Sequence, residues 1–106
     1  MPELLIERHD ILIERIGTRL KTHATETDIA RLFIALVEYR FMRKCPIKTF
    51  RNALHEQFKE QEIVHERGIQ KAYRNLISPL GNSKKLVKDI GEDHEAIEEL
   101  KAYLSN

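Results

Sequence analysis

The chain contains no tryptophan, one cysteine, four glycines and three prolines in 106 residues. A single thiol, Cys45, cannot form a disulfide or a cysteine-based zinc site within one chain. So few turn-forming residues argue against an all-β fold, which needs many tight turns. There is no uncharged run near the ~18 residues of a membrane span. Glu3, Glu7 and Asp10 interrupt the N-terminal stretch before it could form an apolar signal segment. The expected location is the cytoplasm, with no membrane partner.

What is present is helical. Apolar residues make up 42% of the chain and charged residues 33%. That mixture supplies one core and excludes disorder, and the length fits a single domain over residues 1–106. The expected architecture is all-α, a bundle of five or six helices.

Spacing locates them. Leu5, Leu12, Ile16 and Leu20, widened by Ile6 and Ile13, predict a first helix over Glu3–Lys21. Gly17 inside it should weaken it by ~1 kcal/mol relative to Ala. Thr25-Glu26-Thr27-Asp28 is a helix-start signal, because a Thr hydroxyl accepts from an orphan N–H and acids oppose the positive helix end. A second helix follows, with Ile29, Leu32, Phe33, Leu36, Val37 and Phe41 on one face. It should end near Lys44, since Pro46 pushes Cys45 out of the α region. A third is expected over Ile47–Gln61, burying Ile47, Phe50, Leu54 and Phe58. A fourth should carry Ile69, Ala72, Tyr73, Leu76 and Ile77. Ser78–Ser83 reads as a loop, Lys84–Ile90 as two short turns with Gly91 as a cap, and His94–Leu104 as a last helix with Asp93 capping it.

The net charge of +1 conceals a strong asymmetry. Residues 40–88 hold twelve Lys/Arg against four Asp/Glu, whereas residues 89–106 hold one against six. The stretch from Arg40 to Arg51 has five basic residues and no acid, and it joins the second and third helices. At 100° per residue, Lys48, Asn52, His55 and Lys59 share one sector of the third helix, and Arg67, Lys71 and Arg74 share one of the fourth. Lysine and arginine suit phosphates, while Asn52 and Arg51 carry groups suited to base edges. The candidate nucleic-acid surface is therefore Arg43, Lys44, Lys48, Arg51, Asn52, Lys71 and Arg74, in a helix–turn–helix-like setting. Against it stands the plain alternative of solvated helix faces. Glutamates 56, 60, 62 and 66 lie nearby, and the pI of 7.9 is below the ~9 of a dedicated binder.

Other chemistry is sparse. Glu62-x-x-His65 has the spacing of di-iron bundles, but no second copy exists. His55-Glu56 is not followed by the second histidine of a metalloprotease motif. Cys45 reads as a loop thiol. With no phosphate loop and no nucleophile motif, neither a cofactor, a metal nor an enzymatic activity is expected. Apolar Leu4, Leu5, Ile6, Ile11, Leu12 and Ile13 wrap more than half of the first helix. This helix is either buried between others or a seam for a homo-oligomer or protein partner.

The run Thr27-Asp28-Ile29-Ala30-Arg31-Leu32-Phe33-Ile34-Ala35-Leu36 is followed by Ile47-Lys48 and a helix closing in Glu56-Gln57-Phe58. This pattern resembles the C-terminal region of the RteC family, regulators from Bacteroides mobile elements. Glu66–Arg74 falls where that family has a basic, aromatic segment. The resemblance covers residues 27–75 and implies a helical, DNA-associated regulatory module.

Overall fold

The second helix organises the molecule. In the computed structural model, which describes residues 4–6, 9–76 and 92–105, the helices are α1 (His9–Leu20), α2 (Glu26–Glu38), α3 (Ile47–Gln57), α4 (Glu66–Leu76) and α5 (Glu92–Ser105). The fold is all-α, as the composition implies. The loop, turns and cap expected over residues 78–91 lie outside the described residues.

Helix α2 is apolar around most of its circumference, and Ile29, Ala30 and Leu32 through Leu36 are all buried. Both α4 and α5 pack on it; α3 packs on α4, and α1 on α5. Burying a side chain such as Phe33 or Leu36 contributes about 1.5–3 kcal/mol. Phe33 also joins three helices: its ring lies 5.2 Å from Phe50 of α3 and meets Tyr73 of α4 edge-on at 5.5 Å.

Both ends of α2 are closed by specific hydrogen bonds. Thr25 and Asp28 form a reciprocal capping box: Asp28 N–H donates to Thr25 Oγ1 at 3.1 Å, and Thr25 N–H donates to Asp28 Oδ2 at 3.2 Å. At the other end the helix stops at Glu38, short of the expected Lys44. Arg40 turns into the left-handed region, φ 61°. Phe41 N–H then donates to Leu36 O at 2.8 Å and Arg40 N–H to Val37 O at 3.2 Å. This is a Schellman closure with arginine in the position where glycine is usual. The proline at 46 is not what stops the helix; it instead precedes the first residue of α3.

The first helix also starts later than its apolar pattern suggests. Leu5 belongs to no helix. It forms an isolated antiparallel bridge with Met42, with Ile6 N–H on Phe41 O (3.1 Å) and Arg43 N–H on Leu4 O (2.8 Å). Leu5 is buried as expected, but through strand-like pairing. Leu12, Ile16 and Leu20 form the buried stripe of α1. Gly17 has a packing reason: a Cβ there would lie 2.7 Å from the Phe58 ring.

Phe58 is the cap residue of α3, so that helix ends at Gln57, before the expected Gln61. The connector over 58–65 then buries Ile63. The two outermost helices clasp each other. Arg15 Nη1 donates to the carbonyls of Tyr103 (3.1 Å) and Leu104 (3.3 Å), and the Tyr103 hydroxyl donates to Arg15 O at 2.8 Å. Arg15 thereby satisfies carbonyls in the last turn of α5, where positive charge suits the helix dipole.

Candidate nucleic-acid interface

Helix α4 is the most sharply divided element between apolar and polar faces. Ile69 and Leu76 are buried, with Ala72 and Tyr73 packed against the core beside them. The complementary positions Arg67, Gln70, Lys71, Arg74 and Asn75 line one shallow hollow on the outer side. The only acid in the helix, Glu66, sits in its first turn. From Arg67 to Asn75 the helix itself contributes three cations and two amides and no carboxylate to the hollow, while the Glu26 carboxylate of α2 reaches α4 beside it, at Gly68. The Arg74 side chain is steadied over its own helix by an Nε contact to Gln70 O at 3.4 Å.

His65 starts this helix. Its Nδ1 accepts from Arg67 N–H at 3.1 Å and its carbonyl from Ile69 N–H at 3.3 Å. A side chain raised as a metal-ligand candidate is thus used as an N-terminal cap. Among the described residues, no group of three histidine, cysteine or acidic side chains converges.

The seven residues expected to form the surface separate into distinct settings. Lys71 and Arg74 share the α4 hollow. Lys44, from the linker between α2 and α3, meets Arg74 across a second groove of about 460 Å³. Arg43, Lys48 and Asn52 are exposed but line neither depression. Arg51 is turned inward: its Nε donates to Val64 O and its Nη2 to Ile63 O, both at 3.2 Å. It fastens the α3–α4 connector to α3, so the side chain expected among the base contacts is engaged with backbone carbonyls. Lys59 lies in the turn beyond α3 and so leaves the sector it was expected to share with Lys48.

Neither junction has the three- or four-residue turn of a helix–turn–helix. The α2–α3 linker is extended and tied to residues 4–6, and the α3–α4 connector is stapled by Arg51. Gln70 and Asn75 were missing from the expected surface, and Arg67, expected on one sector with Lys71 and Arg74, lies outside the candidate set. Their signal was the polar complement of the 69, 72, 73, 76 stripe, spaced at three and four residues along one helix.

The whole chain, residues 1–106, matches the model of a family of unknown function, DUF6043. The chain belongs to this family. No curated protein and no solved structure matches it. Within this DUF6043 chain, charge is segregated by helix: the basic face is on α4, whereas Glu95, Glu98 and Glu99 are exposed on α5. None of the described helices is long and apolar enough to cross a membrane.

The second groove has a different character from the first. Phe33, Ile47 and Tyr73 give it apolar walls, and Lys44, Gln70 and Arg74 give it polar ones. Cys45 also lines it, half-buried, with its thiol pKa pushed up by burial. That direction disfavours the thiolate, the opposite of an activated nucleophile.

The first helix leaves little apolar surface. Leu12 is buried and Ile13 packs against the core, so of the two readings, burial or a seam, the apolar surface left in and just before α1 among the described residues is Ile6 at 48% exposure and Ile11 at 45%.

Proposed function

We propose that the chain is a non-catalytic, intracellular regulatory module that contacts nucleic acid through the outer face of α4. The observation that supports this reading is the unbroken run of cationic and amide groups from Arg67 to Asn75, on one side of one helix, with no acid after Glu66. Arg67, Lys71 and Arg74 anchor phosphates. Gln70 and Asn75 have the paired donor and acceptor that match the major-groove edge of adenine. Lys44, which borders the second groove with Arg74, extends the cationic surface onto the neighbouring linker. The resemblance of residues 27–75 to the RteC regulators agrees with this assignment.

Binding of this kind is dominated by counterion release, so affinity falls steeply with salt. The test is a titration of labelled duplex DNA at low ionic strength with the wild-type chain and with Lys71→Glu/Arg74→Glu. The expected result is a loss of at least about tenfold in affinity and a salt slope shallower by about 2. Both positions are exposed, so the variant should keep its helical spectrum and melting temperature. Equal, negligible binding by both proteins removes the proposal.

A second reading rests on Ile6 and Ile11, the two large apolar side chains left exposed among the described residues. They offer a small contact for a second copy or a partner helix. Sedimentation of the wild-type chain against Ile11→Asp tests the second copy: a shift from dimer to monomer supports self-association, and a monomer in both removes it. Leu12 is unsuitable for this experiment because it is buried in the core.

A further inference from the structure

We propose that the groove between the α2–α3 linker and α4 is a binding site for a small organic anion with an apolar body and a carboxylate head. Its walls divide in the way such a ligand requires. The Phe33 and Tyr73 rings, in edge contact at 5.5 Å, and the half-buried Ile47 form the apolar part. Lys44 and Arg74, both exposed, come from different segments and border the same hollow, with the Gln70 amide on the Arg74 side. No aspartate or glutamate lines it. The hollow is open to solvent, with a volume of about 460 Å³, so a ligand's apolar body would lie against the aromatic wall rather than be enclosed.

An anion seated in this hollow would lie next to two cations from different segments and no acid. Arg74 offers a planar fork that matches a carboxylate, and Lys44 a compact positive charge. A nucleic-acid backbone uses the cations alone and gains nothing from the aromatic wall, so this site is distinct in chemistry from the outer face of α4, although Gln70 and Arg74 border both. The inference does not depend on nucleic-acid binding.

Cys45 supplies a local reporter, because it lines the groove and is the only thiol in the chain. The experiment follows the rate of Cys45 modification by a chromogenic disulfide in the presence of 1-naphthoate, its neutral counterpart 1-naphthalenemethanol, or inorganic phosphate. Calorimetry on the same solutions gives affinities. Saturable protection by naphthoate below about 1 mM is expected, with the alcohol weaker by at least about tenfold. Inorganic phosphate should give no protection. The Lys44→Gln/Arg74→Gln variant, changed only at exposed positions, should lose about tenfold or more in naphthoate affinity while its thiol remains reactive. Four results overturn the proposal: no protection by naphthoate, equal protection by the alcohol, equal protection by phosphate, or an unchanged affinity in the variant. Because no nucleic acid is present, failure here leaves the α4 titration unaffected, and the reverse also holds.

Discussion

Helices α2 and α4 pack on each other and share the Phe33–Tyr73 contact, yet they serve opposite ends. In α2 seven of thirteen residues are buried, and both ends are closed by hydrogen bonds. In α4 two of eleven are buried and the outer face is cationic. The difference separates a buried, capped helix from one that turns a cationic face to solvent. Substitutions in α2 should be felt as unfolding, whereas those on the outer face of α4 should leave the fold alone.

That contrast can be broken experimentally. The largest effect is expected for Phe33→Ala, which removes a buried ring touching two other aromatics and should cost about 3–5 kcal/mol in chemical denaturation. Lys71→Ala, in the same measurement, should stay within about 0.5 kcal/mol. Comparable losses at both positions would end the division of roles.

The end of α2 should also be sensitive to alkali. Tyr39 has its pKa pushed from 10.0 up to about 12, first by burial, then by a hydrogen bond and the negative charge of Glu98, and by Glu38. The folded chain therefore holds this proton after the unfolded chain has lost it. Stability from this group is fully present below pH 10 and declines as pH rises towards 12. A Tyr39→Phe variant should show a flatter decline over that interval in denaturant titrations.

Smaller effects sharpen the view of the helix ends. Thr25→Ala removes the hydroxyl of the capping box and should destabilise by about 1 kcal/mol. Arg40→Gly should stabilise by about 0.5–1 kcal/mol, because glycine adopts the left-handed conformation without a Cβ clash. A loss of stability in Arg40→Gly would show that the arginine side chain contributes more than its backbone strain costs.

The fold was legible where periodicity reports burial directly. Leu12, Ile16 and Leu20, then Phe50 and Leu54, then Ile97, Leu100 and Leu104 all occupy the core positions their spacing implies. Thr25 and Asp28 were readable because a cap is a local event. Long-range partners were not. Nothing near Leu5 in the sequence indicates a bridge to Met42, and nothing near Arg40 indicates a left-handed residue in place of glycine. The surface was legible only in part for the same reason. Lys71 and Arg74 share a face by helical geometry alone, whereas the inward turn of Arg51 depends on a connector twelve and thirteen positions away.

The clasp between Arg15 and Tyr103 spans 88 positions, and this has a consequence for how the chain comes together during synthesis. At typical elongation rates the ribosome needs about 4–18 s to deliver the second partner after the first. Throughout that interval α1 has no α5 to rest on, and the side of its apolar stripe that α5 will cover stays open to water. A nascent chain halted before Tyr103 should therefore be more vulnerable to protease and more strongly held by chaperones than one only slightly longer.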